Sequence, residues 1–568
     1  WNSRRSTVYG TKGMCCCTQP LAAAAGNKIL AQGGTAADAA VAMAACLNIL
    51  EPCSTGIGGD AFALYYSADT KEVSCFNGNG KSPAGFTMEA LAAKGIGKQV
   101  GQSGIDPHSG VAVTVPGAAQ LWEDVVKTSG KLSMLEVLTP AIELGENGFP
   151  LGPMSARQWS RGKLVGEEAY RTFRPNGISP KTGELFHNRN LARTFREVAA
   201  DGAKAFYSGR IADAIVAAVN DNGGMMTLED LAAHTTNRSA PISSTYKGYR
   251  VYQTPPPSHG IATLIALNIL EALPTPPSGH RSSAEQTHLS LECMRLAMAD
   301  ALQYAADPEV VRVPVSGLLS KEYARSRAAM ISTECASEVD FGDPSTFMNS
   351  ETVYFCCVDG QGNACSFINS NYMGFGTGIV PDGCGFTLQN RACNFTLDPA
   401  HPNCAAPHKR PYHTIIPCLM TKESDGSFFA TLGVMGGFMQ PQGQFQVIRN
   451  MLDFGMDPQS SIDAARWYIN APYYTFQNAL AVKNSAVQLE AGYGGQWEKF
   501  YHEGFDESIK DDGETVLGRL AGMGHSMGEL VRDNRTMFGR GQIILRNQAG
   551  VLAGASDPRS DGCALPLI

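Results

Sequence analysis

The stretch that decides the fold is NSETVYFCCVDGQGN, residues 349–363. Thr352 opens a run of β-branched, aromatic and small apolar residues. A glycine-containing turn, 359–363, follows it and leads into a second apolar run, Ala364–Ser370. This pattern predicts a β-hairpin with Thr352 at the head of its first strand. Threonine is common at strand starts because β-branched residues suit a pleated backbone, so the hairpin alone assigns no chemistry to Thr352.

The sequence on the two sides of Thr352 differs in character. Apolar spacing at i, i+3 and i+4 predicts helices before it, at residues 22–31, 33–50, 117–128, 134–144, 190–200, 211–219, 261–273 and 287–306. Short apolar runs predict strands from it onward, at residues 353–358, 364–370, 385–388, 414–420, 428–432, 480–482, 542–545 and 551–553. No internal repeat or low-complexity linker separates the two parts, which favours one large two-part unit.

Composition excludes several classes of protein. The chain has 568 residues and a net charge of −8, and it shows no basic stripe of the kind that binds nucleic acid. It has no apolar run of the roughly 18 residues that a membrane-spanning helix needs. We therefore expect a globular enzyme or binding protein that acts on small molecules, without nucleic-acid partners and without a membrane span.

The cysteines and histidines also constrain the chemistry. Sixteen cysteines include three consecutive and two adjacent residues and form no C-x-x-C pair, which favours free buried thiols in a reducing compartment. We therefore expect a cytoplasmic location. No group of histidine, cysteine and acidic residues has the spacing of a metal site, so neither a metal nor a cofactor is expected.

Several blocks occur in order along nearly the whole chain. They are GGTAADAAV (33–41), EP (51–52), GIGG (56–59), VPG (115–117), PPPS (255–258), GFGTGIV (374–380), KRP (409–411), GG (436–437) and GASDPR (554–559). Together they resemble the gamma-glutamyltranspeptidase family. The TVY start at Thr352 and the stretch GFMQPQG, residues 437–443, are similar to a signal-less, gamma-glutamyltransferase-like branch of that family.

The resemblance implies an α+β fold, the αββα sandwich of N-terminal-nucleophile hydrolases, with two stacked sheets between helical layers. It also implies a precursor that cleaves itself between Glu351 and Thr352. The products would be a helix-rich large subunit, 1–351, and a strand-rich small subunit, 352–568. These stay associated as one folded unit, with a homodimer of processed heterodimers left open.

The resemblance assigns catalytic roles to four residues. Thr352 becomes the N-terminal nucleophile. A threonine hydroxyl needs a base, and the α-amino group of the same residue supplies one at a pKa of roughly 7.7–8. Ser370 stands where the family has threonine and orients the nucleophile. Gly436 and Gly437 donate backbone N–H groups to the oxyanion of the tetrahedral intermediate.

The residues that correspond to substrate contacts depart from the family pattern. They are Asn79, in place of an arginine, with Lys81 as the nearest cation; Tyr372, in place of an asparagine; Arg391 and Asn394, in place of a run ending in aspartate; and His413 and Thr414, in place of a pair of serines. Losing a carboxylate at Asn394 and gaining Arg391 shifts the expected pocket from zwitterion recognition toward anion recognition.

Three hypotheses follow. The first is an enzyme that hydrolyses or transfers γ-glutamyl amides, such as glutathione or its conjugates, through an ester on Thr352. The second is an N-terminal-nucleophile acylase for another amide, with a dicarboxylic acyl group held by Lys81 and Arg391. The third is an unprocessed, non-catalytic binding protein. The presence of Thr352, Ser370 and the glycine pair disfavours the third.

Overall fold

The structure is a computed structural model that describes residues 5–97, 104–274, 279–337, 352–470, 486–495 and 515–568. Its strands, in chain order, are β1 (Val8–Gly10), β2 (Met14–Cys17), β3 (Asp60–Tyr66), β4 (Val73–Asn77), β5 (Phe149–Pro150), β6 (Leu185–Phe186), β7 (Ile242–Tyr246), β8 (Tyr249–Gln253), β9 (Val353–Val358), β10 (Ala364–Ser370), β11 (Cys418–Lys422), β12 (Phe428–Met435), β13 (Trp467–Asn470), β14 (Ala486–Glu490), β15 (Met527–Leu530), β16 (Arg540–Arg546), β17 (Leu552–Ser556) and β18 (Cys563–Pro566).

The α-helices surround these strands. They are α1 (Pro20–Ala31), α2 (Ala36–Leu50), α3 (Met88–Ala93), α4 (Ala118–Ser129), α5 (Met134–Asn147), α6 (Pro153–Arg161), α7 (Glu167–Phe173), α8 (Arg189–Asp201), α9 (Lys204–Tyr207), α10 (Arg210–Asp221), α11 (Leu228–Ala232), α12 (Gly260–Glu271), α13 (Ala284–Tyr304), α14 (Val315–Leu318), α15 (Lys321–Ala328), α16 (Met439–Leu452), α17 (Pro458–Asp463) and α18 (Val516–Gly522).

Two antiparallel sheets form the centre of the molecule. The six-stranded sheet has the order β18-β2-β9-β10-β3-β4, and the seven-stranded sheet has the order β1-β17-β16-β12-β11-β8-β7. The hairpin β9–β10 occupies the middle of the six-stranded sheet. Each sheet combines strands from before and after Thr352, so the two predicted subunits are interleaved within both sheets.

The side chains of β9 show how the two sheets and the helical layers pack against one another. Val353 and Phe355 belong to the apolar cluster between the six-stranded sheet and the helices α1, α2 and α4. Tyr354 and Cys356 point the other way, into a cluster shared with strands β11, β12, β16 and β17 of the seven-stranded sheet. The outer face of that sheet packs on α12 and α16. This period-2 alternation buries both faces of β9 and gives the predicted αββα sandwich.

The turn after β9 is tied to a helix. Asp359 Oδ1 accepts from the N–H groups of Gln361 and Asn363, both at 3.0 Å, which closes the hairpin turn. Asp359 Oδ2 accepts from the Ala36 N–H, the first of α2, at 3.0 Å. Thr35 caps the same helix end. A carboxylate at a helix N-terminus is favoured by the helix dipole, so the hairpin and α2 support each other.

One predicted strand is wrong. Residues 385–388 form no strand, although their sequence is apolar. Gly385 adopts φ +77, and its carbonyl accepts from Asn188 Nδ2 at 2.8 Å. A β-carbon at Gly385 would lie 2.4 Å from the backbone nitrogen of Leu191, so close packing against α8 replaces sheet pairing here. The predicted strand at 480–482 lies outside the described residues.

Within the described residues, none of the helices combines the length and the apolar character that crossing a membrane requires. All sixteen cysteines are free thiols.

Candidate active site

Thr352 precedes β9, and its hydroxyl faces the end of β10. Thr352 Oγ1 and Ser370 Oγ are 3.0 Å apart, which is hydrogen-bond distance. Both residues are fully buried. The register pairs Val353 with Asn369, which places Thr352 opposite Ser370 across the hairpin. The predicted nucleophile and its predicted partner are therefore brought together by the hairpin itself.

Ser370 Oγ accepts hydrogen bonds from two further donors. The Tyr372 N–H donates at 2.9 Å, and Arg391 Nη2 donates at 3.4 Å. A hydroxyl oxygen has two lone pairs and one hydrogen to donate. Either hydroxyl can be the donor in the contact between Ser370 and Thr352.

Arg391 is the centre of a buried polar cluster behind Ser370. Its Nη1 donates to Thr414 Oγ1 at 3.0 Å, and its Nε donates to Asp60 Oδ2 at 3.2 Å. Its guanidinium carbon lies 4.4 Å from the centroid of the Tyr372 ring, in a cation–π contact. These bonds and the ring fix the guanidinium in one orientation beside Ser370.

Asp60 is a residue of this cluster that sequence reasoning missed. Besides Arg391, its carboxylate accepts from His413 Nε2 at 3.1 Å and from the Gly80 N–H at 3.4 Å. The only local hint was an acid at the head of an otherwise apolar strand, β3. Because the Asp60 carboxylate balances the guanidinium, Arg391 adds no net positive charge here. Arg391 therefore does not give this part of the site the extra positive charge that the sequence predicted.

Burial controls the protonation of the cluster. It raises the pKa of Asp60 from 3.8 to about 6, while the nearby Arg391 acts in the opposite direction. Burial, reinforced by the charge of Arg391, lowers the pKa of His413 well below its ordinary value. His413 is therefore neutral at physiological pH. Its Nδ1 accepts from the Ile415 N–H at 3.3 Å, so its hydrogen is on Nε2 and points to Asp60.

The glycine pair lies in the turn between β12 and α16. Gly436 has φ +131 and Gly437 has φ +57, backbone conformations that glycine adopts without strain. In the described parts of the chain, neither N–H donates to another group. Free N–H groups of this kind are the donors that an oxyanion hole requires.

Arg540 is a second residue that sequence reasoning missed. It is the first residue of β16 and pairs with Met435, which directly precedes Gly436. Its Nη2 lies 3.5 Å from the Thr352 carbonyl oxygen, and its Nη1 lies 3.3 Å from Glu51 Oε2. Arg540 thus joins the backbone of Thr352 to the glycine turn. No sequence pattern indicates this contact because its partners are far apart in the chain.

A cavity of about 430 Å³ opens beside Gly436. One wall is the end of β12 with Arg540, and another is α6 with the residues that follow it. Its lining combines apolar side chains, among them Met154, Met373, Phe438, Tyr468 and Met537, with the basic side chains Arg157, Arg161 and Lys163. This volume and this mixture of apolar and polar groups suit a small-molecule site.

The structure places Lys81 away from this cavity. Its ammonium forms an ion pair with Glu309 at 2.8 Å, and it lines a smaller groove together with Arg410. Lys81 and Arg391 are therefore held by different carboxylates, Glu309 and Asp60.

Two predicted contact residues instead support loops. Asn79 Nδ2 donates to the Pro411 carbonyl at 3.1 Å, and Asn394 Nδ2 donates to the Tyr412 carbonyl at 2.9 Å. Both residues are buried. They hold the segment that carries His413. Glu351, the predicted residue before the cleavage site, lies outside the described residues.

Among the residues that the structure describes, one group brings metal-ligand side chains together, which sequence spacing did not reveal. His288 and Glu292 lie one turn apart on α13, and His525 follows α18. His288 Nδ1 and His525 Nε2 are 2.8 Å apart, at hydrogen-bond distance, and Arg295 Nε lies 3.7 Å from Glu292 Oε1. A fixed guanidinium beside the carboxylate disfavours a second cation, so we interpret this group as a hydrogen-bonded core cluster.

Comparison with known proteins covers the whole length. A family model described as gamma-glutamyltranspeptidase matches residues 22–567. The chain is 35% identical to the glutathione hydrolase-like YwrD proenzyme of Bacillus subtilis, with 99% of each protein aligned. It is 31% identical to a glutathione hydrolase proenzyme of the same organism, over 100% of this chain and 93% of that protein.

A solved structure shares the fold and much of the sequence. The cephalosporin acylase of Bacillus halodurans superposes with a TM-score of 0.86 and 38% identity, covering 100% of this chain and 98% of that one. Relatives named for glutathione hydrolysis and a structure named for cephalosporin acylation therefore both align with nearly the whole of this chain.

Proposed function

Because the chain belongs to the gamma-glutamyltranspeptidase family of N-terminal-nucleophile enzymes, we propose that it cleaves itself before Thr352 and then acts on γ-glutamyl amides. The observation that carries this proposal is the 3.0 Å contact between Thr352 Oγ1 and Ser370 Oγ at the head of the central hairpin. It holds the hydroxyl of Thr352 in a fixed position, and the free N–H groups of Gly436 and Gly437 suit an oxyanion.

The reaction has two acyl transfers. In the first, the new α-amino group of Thr352 takes the hydroxyl proton, and Oγ1 bonds to the γ-carbonyl carbon. The amide C–N bond breaks, and the ammonium returns the proton to the leaving amine. In the second, water or an acceptor amine gives its proton to the α-amino group and attacks the ester. The bond from Oγ1 to the acyl carbon then breaks, the ammonium returns its proton to Oγ1, and Thr352 is regenerated.

Ser370 and the cluster behind it position the nucleophile. The hydrogen bond between the Ser370 and Thr352 hydroxyls orients Thr352 Oγ1. Arg391 donates to Ser370 and is itself held by Asp60 and Thr414. A fixed geometry of this kind reduces the reorganisation needed to reach the transition state.

A second candidate is an acylase for a dicarboxylic amide. The observation that favours it is that the Asp60 carboxylate already serves Arg391 and His413. Within the described part of this cluster, no unpaired carboxylate is left to bind the ammonium group of a γ-glutamyl substrate. The likeness to a cephalosporin acylase supports the same alternative.

Denaturing electrophoresis with N-terminal sequencing tests self-cleavage. The smaller fragment of the purified protein should begin at Thr352, and Thr352→Ala should stay intact and inactive. Thr70→Ala, which changes an exposed threonine in the β3–β4 loop, should process normally. An intact wild-type chain, or activity in Thr352→Ala, would reject the proposed mechanism.

The substrates expected for the two candidate functions differ in one group, the α-amino group on the acyl half. Release of p-nitroaniline from γ-glutamyl-p-nitroanilide should exceed release from glutaryl-p-nitroanilide, which lacks only the α-amino group. If the glutaryl compound is faster by about tenfold or more, the acylase candidate replaces γ-glutamyl specificity. Native mass spectrometry tests whether processed heterodimers form a homodimer, and cell fractionation tests the predicted cytoplasmic location.

A further inference from the structure

The block GASDPR, residues 554–559, carries part of the family resemblance but has no role in the mechanism above. Its acid, Asp557, is fully buried, and both of its carboxylate oxygens accept hydrogen bonds. Oδ1 accepts from the N–H and the Nη1 of Arg559, at 2.9 and 3.0 Å. Oδ2 accepts from Arg466 Nη2 at 2.7 Å and from the Gly541 N–H at 2.9 Å. All four partners are donors, which favours an ionised carboxylate.

Arg466 extends this network to the residues just before β16. Its Nη2 binds Asp557, whereas its Nη1 donates to the carbonyls of Phe538 and Gly539, at 2.8 and 3.4 Å. The Arg466 side chain is only 1% exposed. Removing one partner of an ion pair this deeply buried leaves an uncompensated charge, so the two residues depend on each other. The guanidinium therefore joins the end of β17 to the start of β16 through two different nitrogens.

The backbone held in this way flanks Arg540. The Gly539 carbonyl accepts from Arg466 on one side of it, and the Gly541 N–H donates to Asp557 on the other side. Gly539 adopts φ +72, and a β-carbon there would lie 2.1 Å from a backbone oxygen of β12. Because the chain passes so close to β12, it has little room to move at this point. The path of the backbone through residue 540 is therefore fixed on both sides.

Arg540 connects this fixed backbone to the nucleophilic residue. Its Nη2 lies 3.5 Å from the Thr352 carbonyl oxygen. Its Nη1 lies 3.2 Å from Gln158 Oε1 and 3.3 Å from Glu51 Oε2. Because a guanidinium is a rigid planar fork, a displacement of the backbone that bears it would not leave all of these contacts intact.

We propose that Asp557 and Arg466 are positioning residues for Thr352 and that they act through Arg540. The pair holds the backbone on both sides of Arg540, and Arg540 in turn contacts the carbonyl of the nucleophilic residue. This inference rests on the proposed function, since it concerns the nucleophile of the same reaction. It gives the acid of the block at residues 554–559 a role that the resemblance left unassigned.

Arg466→Lys tests the pair with a small change. Lysine keeps a positive charge beside Asp557, but its single nitrogen does not replace both Nη1 and Nη2. On processed protein, we expect kcat for the better of the two anilides to fall about tenfold, because the nucleophile is displaced. KM should stay within about twofold of the wild type, since the contacts to the substrate are unchanged. An unchanged kcat would overturn the inference.

Arg327→Lys is the matched control. Arg327 Nη2 donates to Asp300 Oδ1 at 2.9 Å and to the Leu296 carbonyl at 3.4 Å, and its side chain is 7% exposed. This buried ion pair joins α15 to α13. Thermal unfolding should show a lower Tm in both lysine variants, whereas only Arg466→Lys should lower kcat. Equal losses of kcat would mean that a general loss of stability explains the effect, and the inference would be wrong.

A double-variant cycle tests the path through Arg540. Once Arg540→Lys has released the Thr352 carbonyl, Arg466→Lys should cost little further activity. We therefore expect kcat of Arg466→Lys/Arg540→Lys to lie within about twofold of that of Arg540→Lys alone. If the two losses multiply instead, Arg466 does not act through Arg540 and the inference is overturned.

Hydrogen exchange separates this inference from the proposed function because it needs no substrate. Mass spectrometry of peptic fragments should show faster exchange in Arg466→Lys than in Arg327→Lys for two segments, residues 538–542 and residues 352–358. If neither anilide is cleaved but this difference is found, the proposed function fails and the positioning role stands. If residues 352–358 exchange equally in the two variants, the positioning role is wrong whatever the substrate.

Discussion

Ser370 connects the nucleophile to the buried charge cluster, so its hydroxyl should affect the rate more than substrate binding. We expect Ser370→Ala to lower kcat about tenfold to a hundredfold with little change in KM, because the lost hydrogen bond orients Thr352 in the reaction. Ser370→Thr keeps the hydroxyl and should retain most of the rate. Steady-state kinetics on processed protein measures both. An unchanged kcat in Ser370→Ala would remove Ser370 from the mechanism.

Asp60 should make stability depend on pH in a particular direction. Its pKa is about 6 in the folded protein, against an ordinary value of 3.8, so the folded state retains the proton to higher pH than the unfolded state. The stability that Asp60 contributes is therefore greatest at low pH and is lost as the pH rises from about 4 to about 6.

Comparison with Asp60→Asn isolates this effect because asparagine does not titrate. Thermal unfolding should show that the Tm of the wild type minus that of Asp60→Asn decreases between pH 4 and pH 6 and is constant above that range. A difference that grows with pH would show that Arg391 outweighs burial and holds the pKa of Asp60 below its ordinary value.

At the scale of elements, the turn between β12 and α16 is the part of the site that depends most on glycine. Gly437→Ala places a methyl group at φ +57 and should shift the N–H groups that face the oxyanion. We expect kcat to fall at least about tenfold, since removing one oxyanion donor costs that much or more.

Gly455→Ala is the matched control for this turn. Gly455 has φ +62, and a β-carbon there would meet no atom within 4 Å. Both substitutions place an alanine in the left-handed region of backbone conformation, which costs about 1–2 kcal/mol of conformational free energy in each case. Only Gly437→Ala should lower kcat. Equal kinetic losses in the two variants would mean that backbone strain, rather than the oxyanion site, explains the effect.

At the scale of the whole molecule, the sheets should keep the cleaved subunits together. The hairpin β9–β10 lies between β2 and β3 in one sheet, and β11 pairs with β8 in the other. Separating residues 1–351 from 352–568 would break both ladders and expose all three apolar layers. We expect the processed protein to elute as a single species in native size exclusion, at the position of intact Thr352→Ala, and to separate only in denaturant.

Much of the fold could be predicted because its signals are local. The bounds of β9 and β10 agree with the predicted strands, and the predicted helix at residues 134–144 corresponds to α5. The error at residues 385–388 has a different origin, since Gly385 adopts its conformation to fit against α8. Local apolar patterns do not distinguish pairing in a sheet from packing on a helix.

The same contrast between local signals and long-range packing applies to the candidate site. The sequence by itself determined the place of Thr352 at the head of a hairpin, the position of Ser370 opposite it and the glycine pair, because strand periodicity and turn chemistry are encoded within a few residues. Only the tertiary structure placed Asp60 against Arg391 and Arg540 against Glu51. Those contacts join segments that are hundreds of residues apart, and the balance of a buried charge depends on what surrounds it in space rather than along the chain.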